Sequence, residues 1–487
     1  MTLLSAFYRA ETETARAAGY QRDQLTPGIV HIGVGGFHRA HLARYQELYN
    51  RMNPHSGWSI TGIGLLPSDV SALHKLNAQK GLYSLIEADQ DGMSVLPIGA
   101  IGRLIAAAEE PQAAIEAMAA KETRIISTTI TEGGYLYDFE RHRFMSEHSL
   151  VEHDLASPEQ PASLFGYLRL ALTERKEKGH GPVTLMSCDN VPGNGEVFRD
   201  ALLAFLNLAG DLELVDWVAE NVRFPNSMVD RITPIPPTDL VQRLKAISGV
   251  EDECPVLAEP FTQWVLEDDF IAGRPAWESV GATFTDDVER FEQLKIRLLN
   301  GTHVLIAQLG YRMGVATIHE LMADPLIERL VDGFMSEDAQ PTINGFSNEE
   351  IDQYKNTIKE RFSNPAVADG VPRVATDGYS RLKNFLMPIV RFHLDQGRVP
   401  VRLALPFACF LKKLEEVNEN GEPIALNEPA LSQVQHQKML NDSHALLKDP
   451  SYFGDEQSAD VDAFKAEVQR FYHELAEQSV SDILETL

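Results

Sequence analysis

Residues 29–36, Ile-Val-His-Ile-Gly-Val-Gly-Gly, run from a buried-looking apolar stretch directly into a glycine turn. Phe37-His-Arg-Ala-His-Leu-Ala-Arg-Tyr-Gln-Glu-Leu48 then carries a helical pattern. A strand, a glycine turn and a helix in that order commit the chain to a parallel α/β unit, because a helix is the usual way back to the next parallel strand. They are also the context that a dinucleotide-binding fingerprint requires. Gly33 and Gly35 let the backbone turn tightly and approach a pyrophosphate, and the helix start offers free N–H groups. The third glycine of GxGxxG is replaced by His38, so Gly36 and Arg39 are the candidates for close approach and for phosphate charge. An ordinary strand–helix turn reads the same from these residues alone.

A second strand, Trp58-Ser-Ile-Thr-Gly-Ile-Gly-Leu-Leu66, ends near Asp69. An acidic residue there binds a ribose 2′-hydroxyl and repels a 2′-phosphate, favouring NAD over NADP. Asp69 equally suits capping of the following helix, and the two roles are compatible. Residues 82–89 and 93–99 form a strand pair around Asp89-Gln-Asp-Gly92, and Arg124–Thr131 is a β-branched central strand that opens into Glu132-Gly-Gly-Tyr135. Pro182–Cys188 is a further strand, delivering Asn190 at its end. Ligands of open α/β sheets gather at such strand ends. Asp230 and Arg231 lie in a proline-punctuated segment, as an internal ion pair or as a site carboxylate. Trp277–Phe284 is strand-like.

From about residue 286 helical periodicity takes over, at 286–312, 317–337, 348–363, 379–397, 401–417, 431–447 and 460–477. The expected architecture is therefore α/β: a Rossmann-type domain with an extended sheet over 1–285, then a mostly α-helical domain over 286–487. The second domain opens on Lys295-Ile-Arg-Leu-Leu-Asn300-Gly-Thr-His303, an amine, an amide and an imidazole among apolar residues. Read as an α-helix, Lys295, Asn300, His303 and Glu292 share less than half the circumference. That arc is either a solvated face or a site along a cleft between the domains.

With 43 Lys+Arg against 71 Asp+Glu, the formal charge is −28. Such a balance disfavours nucleic acid and anionic membrane surfaces. The start, Met-Thr-Leu-Leu-Ser-Ala-Phe-Tyr-Arg-Ala10, is too short in apolar run for a secretory signal, and no run of about 18 apolar residues occurs. Cys188, Cys254 and Cys409 lack metal or disulfide spacing, which suits a reducing, cytoplasmic setting. His38 and His41 lie three apart with no third ligand nearby, so they are expected to be structural or on the cofactor side, with no metal.

Six blocks in order resemble the polyol-specific long-chain dehydrogenase/reductase family, over nearly the whole chain. They are His31-Ile-Gly-Val-Gly-Gly-Phe-His-Arg-Ala-His41, Thr131-Glu-Gly-Gly-Tyr135, Met186-Ser-Cys-Asp-Asn190, Phe224–Pro234, Glu259–Asp268 and Lys295–His303. The resemblance implies metal-independent interconversion of a sugar alcohol and its ketose with NAD(P). It implies Lys295 as general acid/base, Asn190 and Asn300 on the reacting oxygen, and His303 beside it. Asp230, Arg373 and Arg381 would line the substrate pocket, with Glu292 on the proton route to solvent. Gly33, Gly35, Gly36, Phe37, Arg39, Asp69 and Glu132 are the expected cofactor contacts.

The chemistry is consistent with those roles. A hydride leaves a carbinol carbon only as the hydroxyl proton departs, so a base must lie within hydrogen-bond reach. A lysine serves when burial lowers its pKa from about 10.4 toward the working pH. Two amides then supply fixed donors to the oxygen without adding charge. Arg381 stands where the family usually has lysine, and Leu65-Leu-Pro-Ser-Asp69 lacks an acidic residue that some members carry before the aspartate. The first change bears on which polyol or sugar acid is accepted, and the second weakens the preference for NAD. The expected reaction is D-mannitol and NAD⁺ to D-fructose and NADH, by a monomer. D-arabinitol oxidation and fructuronate reduction are the sibling alternatives. A non-catalytic dinucleotide or sugar binder is the remote one, and it would have no need of Lys295.

Overall fold

The computed structural model describes residues 20–55, 58–139, 141–442, 445–453 and 458–487. The start of the chain, read above against a secretory signal, lies outside them. The chain falls into two compact units, Met1–Glu289 and Arg290–Leu487.

The first unit is built on six parallel strands. Counting only the strands of this sheet, they are β1 Thr26–Ile32, β2 Trp58–Gly64, β3 Ile101–Ala106, β4 Ile125–Thr128, β5 Val183–Ser187 and β6 Val222–Arg223. Their order is β3-β2-β1-β4-β5-β6, with every pairing parallel. Both faces are covered, as the near-continuous apolar strands require. Ile29, Ile60 and Ile125 pack to one side among Leu42, Tyr45 and Leu73. Val30, Ile63 and Ile126 pack to the other among Ile115, Leu168 and Phe198. The expected strand pair at 82–99 forms an antiparallel hairpin, Tyr83–Asp89 with Gly92–Ile98, which Val256–Ala258 joins as a third strand. Ser227–Asp230, Gln263–Leu266 and Thr283–Phe284 make another three-stranded sheet.

Two expected strands are shorter than their sequences suggest. β4 stops at Thr128, because the Asp189 carboxylate accepts the Ile130 and Thr131 N–H groups at 3.0 and 2.8 Å and turns the chain away from the ladder. Trp277–Val280 is a 3₁₀ turn. There the Trp277 indole donates to Gln46 at 3.0 Å and packs on Trp264, 4.6 Å between ring centroids.

The second unit is helical. Gly301–Met313 is apolar on nearly every side and buried along almost its whole length, the mark of a central helix. Asn348–Phe362 begins with a capping box, Ser347 with Glu350. The helix expected over 286–312 is not uniform. It is α-helical over Val288–Leu294, π-helical over Lys295–Asn300 and α-helical again from Gly301. The Gly301 N–H reaches back five residues to the Ile296 carbonyl. Gly301 is also where Phe334 comes close, 3.0 Å from the position a Cβ would take. Further π-helical segments occupy Phe334–Ala339 and Leu382–Leu386, and Lys295–Asn300 packs against both.

Candidate active site

In the first unit the expected cofactor residues gather at the carboxyl ends of adjacent strands. β1 enters the turn with Gly33 at φ +95°, and a Cβ there would stand 2.1 Å from the Thr129 carbonyl oxygen. Only glycine fits. A Cβ on Gly35 would meet nothing within 4 Å, so the backbone there faces open space of the kind a pyrophosphate approach needs. The residues present thus fit a dinucleotide. Gly36–Ala40 forms a short helix carrying Phe37 and Arg39, and a second helix, Leu42–Met52, follows a break at His41. Arg39 commits Nη1 to the Cys254 carbonyl at 2.7 Å and Nε to that of Gly35 at 3.3 Å, and it lies against the Tyr83 ring. Its contacts therefore fix the turn against the hairpin sheet. Asp69 lies just past β2, where its Oδ2 accepts the Leu66 N–H at 3.0 Å. Its side chain makes no cap bond to the following helix, Val70–Ala78, so the capping expected of it there is not made. Glu132 is exposed on the one-turn helix Thr131–Gly134 that follows β4.

Asn190 is exposed just past β5. The residue before it, Asp189, is buried and braces this loop. Its carboxylate accepts the Tyr135 hydroxyl at 2.6 Å besides the two backbone N–H groups after β4. It thereby ties the Glu132 loop to the Asn190 loop. Burial pushes this carboxyl up from the ordinary value, against the pull of its three donors. Its signal in the sequence is only the Asp-Asn pair at a strand end. Asn194 completes the frame, donating to the Asp189 carbonyl at 3.1 Å and the Ser227 carbonyl at 2.7 Å. Asp230 ends the strand Ser227–Asp230 and is 4% exposed. Arg231 points elsewhere, to Glu87, to the Ala40 carbonyl at 2.5 Å and to the Glu259 carbonyl at 2.9 Å. An Arg231 ion pair exists, but with Glu87. His41 is part of an aromatic cluster with Phe37, Tyr45 and Trp264, donating Nε2–H to the Gln263 carbonyl at 2.9 Å. Among the described residues no group of three His, Cys, Asp or Glu side chains is placed to hold a metal ion.

In the second unit Lys295, 6% exposed, opens the π-helical segment and Asn300 closes it. The α-helical wheel separates these two by about 140°. The wider turn pairs residue i with i+5 and so brings Lys295 and Asn300 toward one face. The Asn300 Oδ1 is buried without a hydrogen-bond partner among the described residues. Glu292, one turn earlier, is 8% exposed. His303 stacks on Phe362 with 4.6 Å between centroids. Burial pushes its imidazole below the ordinary 6.5, and the Arg373 and Arg381 charges push the same way.

Asp369 organises this corner. Its Oδ2 is 3.3 Å from His303 Nε2, and it takes the Arg373 Nε and Nη2 in a fork of 2.6–2.8 Å. The His303 contact lies off the N–H direction, so it is a close polar contact rather than a full hydrogen bond. Burial opposes ionisation of Asp369, yet His303 and Arg373 together hold the carboxyl down to about 2. The Arg373 part is permanent, whereas the His303 part exists only where that ring is protonated. Asp369 is itself fixed by an isolated bridge between Thr317 and Gly370 and by the Ile318 N–H donating to its carbonyl at 2.9 Å. Arg381 ends the helix Gly378–Arg381 and donates to the Val374 carbonyl at 2.7 Å. The buried Glu428, paired with Lys413, accepts the N–H groups of Gly378 and Tyr379 at 3.0 Å and caps that helix. The structure therefore joins His303 and Arg373 at Asp369, and the Arg381 charge acts on His303.

The strand order and the turn after β1 define a doubly wound dinucleotide-binding domain. Residues 27–279 match the mannitol dehydrogenase Rossmann domain, and residues 287–476 match the mannitol dehydrogenase C-terminal domain. A solved structure, Pseudomonas fluorescens mannitol 2-dehydrogenase in ternary complex with NAD and D-mannitol, is 40% identical over 96% of both chains, with a TM-score of 0.88. A D-sorbitol dehydrogenase solved in substrate-free form is 34% identical over 96% of both chains, with a TM-score of 0.84. The mannitol 2-dehydrogenase of Phaeosphaeria nodorum is 39% identical over 440 residues, 90% of this chain and 77% of that one. The chain belongs to the mannitol dehydrogenase family, as the six blocks of sequence implied.

Proposed function

We propose that this protein oxidises D-mannitol to D-fructose with NAD⁺, and runs the reverse reduction, using Lys295 as general acid/base. NAD, when bound, supplies the hydride acceptor. Lys295 takes the carbinol proton, and Asn190 and Asn300 hold the oxygen from which it leaves. His303 orients a neighbouring hydroxyl, and Asp230, Arg373 and Arg381 meet the rest of the polyol. Glu292 passes the proton toward solvent. Gly33, Gly35, Gly36, Phe37 and Arg39 form the turn that receives the cofactor, with Asp69 on the ribose and Glu132 beside it.

The observation that carries this reading is the buried Asn300 Oδ1, without a partner among the described residues, in the same π-helical segment as the buried Lys295. An orphaned buried acceptor costs about 1–3 kcal/mol, and a hydroxyl neighbouring the reacting one supplies the donor it lacks, leaving the amide N–H for the reacting oxygen. The chemistry needs an acid/base and an amide side by side at one oxygen. The test is NADH oxidation with D-fructose, fructuronate and D-xylulose in parallel, repeated with NADPH. Turnover of fructuronate without turnover of fructose would sink the mannitol assignment. The likeness to a D-sorbitol dehydrogenase makes D-sorbitol the companion substrate in the oxidative direction.

A further inference from the structure

The carbonyl of Gly33, at the sharpest point of the glycine turn, is gripped from two sides. His31 Nε2 lies 3.2 Å from it, and the Thr129 hydroxyl donates to it at 2.7 Å. The same Nε2 is 2.9 Å from Thr129 Oγ1, and Nδ1 is 2.8 Å from Ser127 Oγ. A carbonyl only accepts, so Nε2 carries the hydrogen and the Ser127 hydroxyl donates to Nδ1. His31 thus joins β1, the turn and the end of β4 through one fixed tautomer.

The flat face of His31 is covered by His38, with ring centroids 3.5 Å apart and planes 12° from parallel. His38 stands where the fingerprint usually has its third glycine, whose purpose is close packing of the helix on the strand. Here an imidazole fills that space instead. Both nitrogens of His38 lack a partner among the described residues, though the ring is fully buried. Such a ring costs stability as a polar group, so its contribution lies in its face rather than its nitrogens.

We propose that His31 and His38 are positioning residues for the cofactor, the stack spacing the short helix from β1 and aiming His31 Nε2–H at the Gly33 carbonyl so that the turn keeps the shape a pyrophosphate requires. The inference deepens the NAD reading above and rests on it. Burial of both rings disfavours the imidazolium form, so the stack stays uncharged through the physiological range.

The test is NADH titration of the full-length protein, followed by cofactor fluorescence, in wild type, His31→Asn, His31→Gln and Thr129→Val. Asparagine keeps a polar atom near Nδ1 and loses the reach of Nε2, whereas glutamine restores that reach. The dissociation constant is expected to rise about three- to tenfold in His31→Asn and in Thr129→Val, the size of one net hydrogen bond. His31→Gln is expected to recover most of the loss. Unchanged affinity in both weakened variants, or equal losses in Asn and Gln, overturns the inference while leaving the NAD reading in place. Failure of the wild type to bind NADH overturns both. Should His31→Asn not fold, Thr129→Val decides, because its hydroxyl lies outside the stack.

Discussion

Asp369 stands 3.3 Å from His303 Nε2 while its carboxylate is held in the fork of Arg373. One buried carboxylate therefore sets the orientation of two side chains assigned to the substrate. Asp369→Asn keeps the shape and removes the charge, so the Arg373 fork loosens and His303 loses the carboxylate beside its Nε2. The KM for D-mannitol is expected to rise about tenfold, within the range for truncating a charge-assisted pair, with NADH affinity unaltered. An unchanged KM would show that Asp369 only braces its loop.

Lys295→Ala removes the proton acceptor. Loss of a positioned general base costs typically ~10²–10⁴ in turnover. Mannitol oxidation should fall by that factor while NADH still binds, as read by steady-state kinetics beside a cofactor titration. A variant with near wild-type rates would remove Lys295 from the mechanism.

Gly33→Ala places a Cβ 2.1 Å from the Thr129 carbonyl oxygen at a φ of +95°. The backbone conformation alone costs roughly 1–3 kcal/mol, and the Thr129 backbone is held by its N–H bond to the Ile32 carbonyl at 2.9 Å. NADH binding should weaken by more than about tenfold, a loss of 1.4 kcal/mol. The melting temperature should fall with it.

Asp69→Ala removes the carboxylate beyond β2. The preference for NAD over NADP should narrow by about tenfold, because the 2′-hydroxyl loses an acceptor and a 2′-phosphate loses a repulsion. The ratio of kcat/KM values for the two cofactors measures it.

His31 gives a pH signature. Burial lowers its pKa from 6.5 to about 3, against the hydrogen bond to Gly33. The unfolded chain therefore takes up the proton first as pH falls. His31 costs the fold nothing above about pH 7 and weakens it between 6.5 and 3, by up to ~1.4 kcal/mol per pH unit. The decline in melting temperature from pH 7 to pH 5 should be shallower in His31→Gln, whose amide does not titrate. Parallel declines would contradict the assignment.

Much of the architecture was legible because it is periodic or local. β1 and its glycine turn announced a parallel sheet, and the change of period near residue 286 announced the helical unit. Lys295, Asn300 and His303 were legible as a cluster because they lie within nine residues. Their angular relationship was not. Whether a helix widens to the π form depends on its neighbours, and here Phe334–Ala339 and Leu382–Leu386 pack against it. Trp277 failed as a strand residue for a similar reason, since its indole is drawn to Gln46 and Trp264.

The sequence by itself determined the strand–turn–helix entry, the requirement for glycine at position 33 and the family. These follow from backbone sterics and short-range pattern. Only the tertiary structure decided that Asp189 locks two strand-end loops and that Asp369 aims His303 and Arg373. It also decided that His38 replaces a glycine by stacking on His31. These contacts join residues between 4 and 66 positions apart, and hydrogen-bond direction and ring contact are fixed by where the packed elements come to rest.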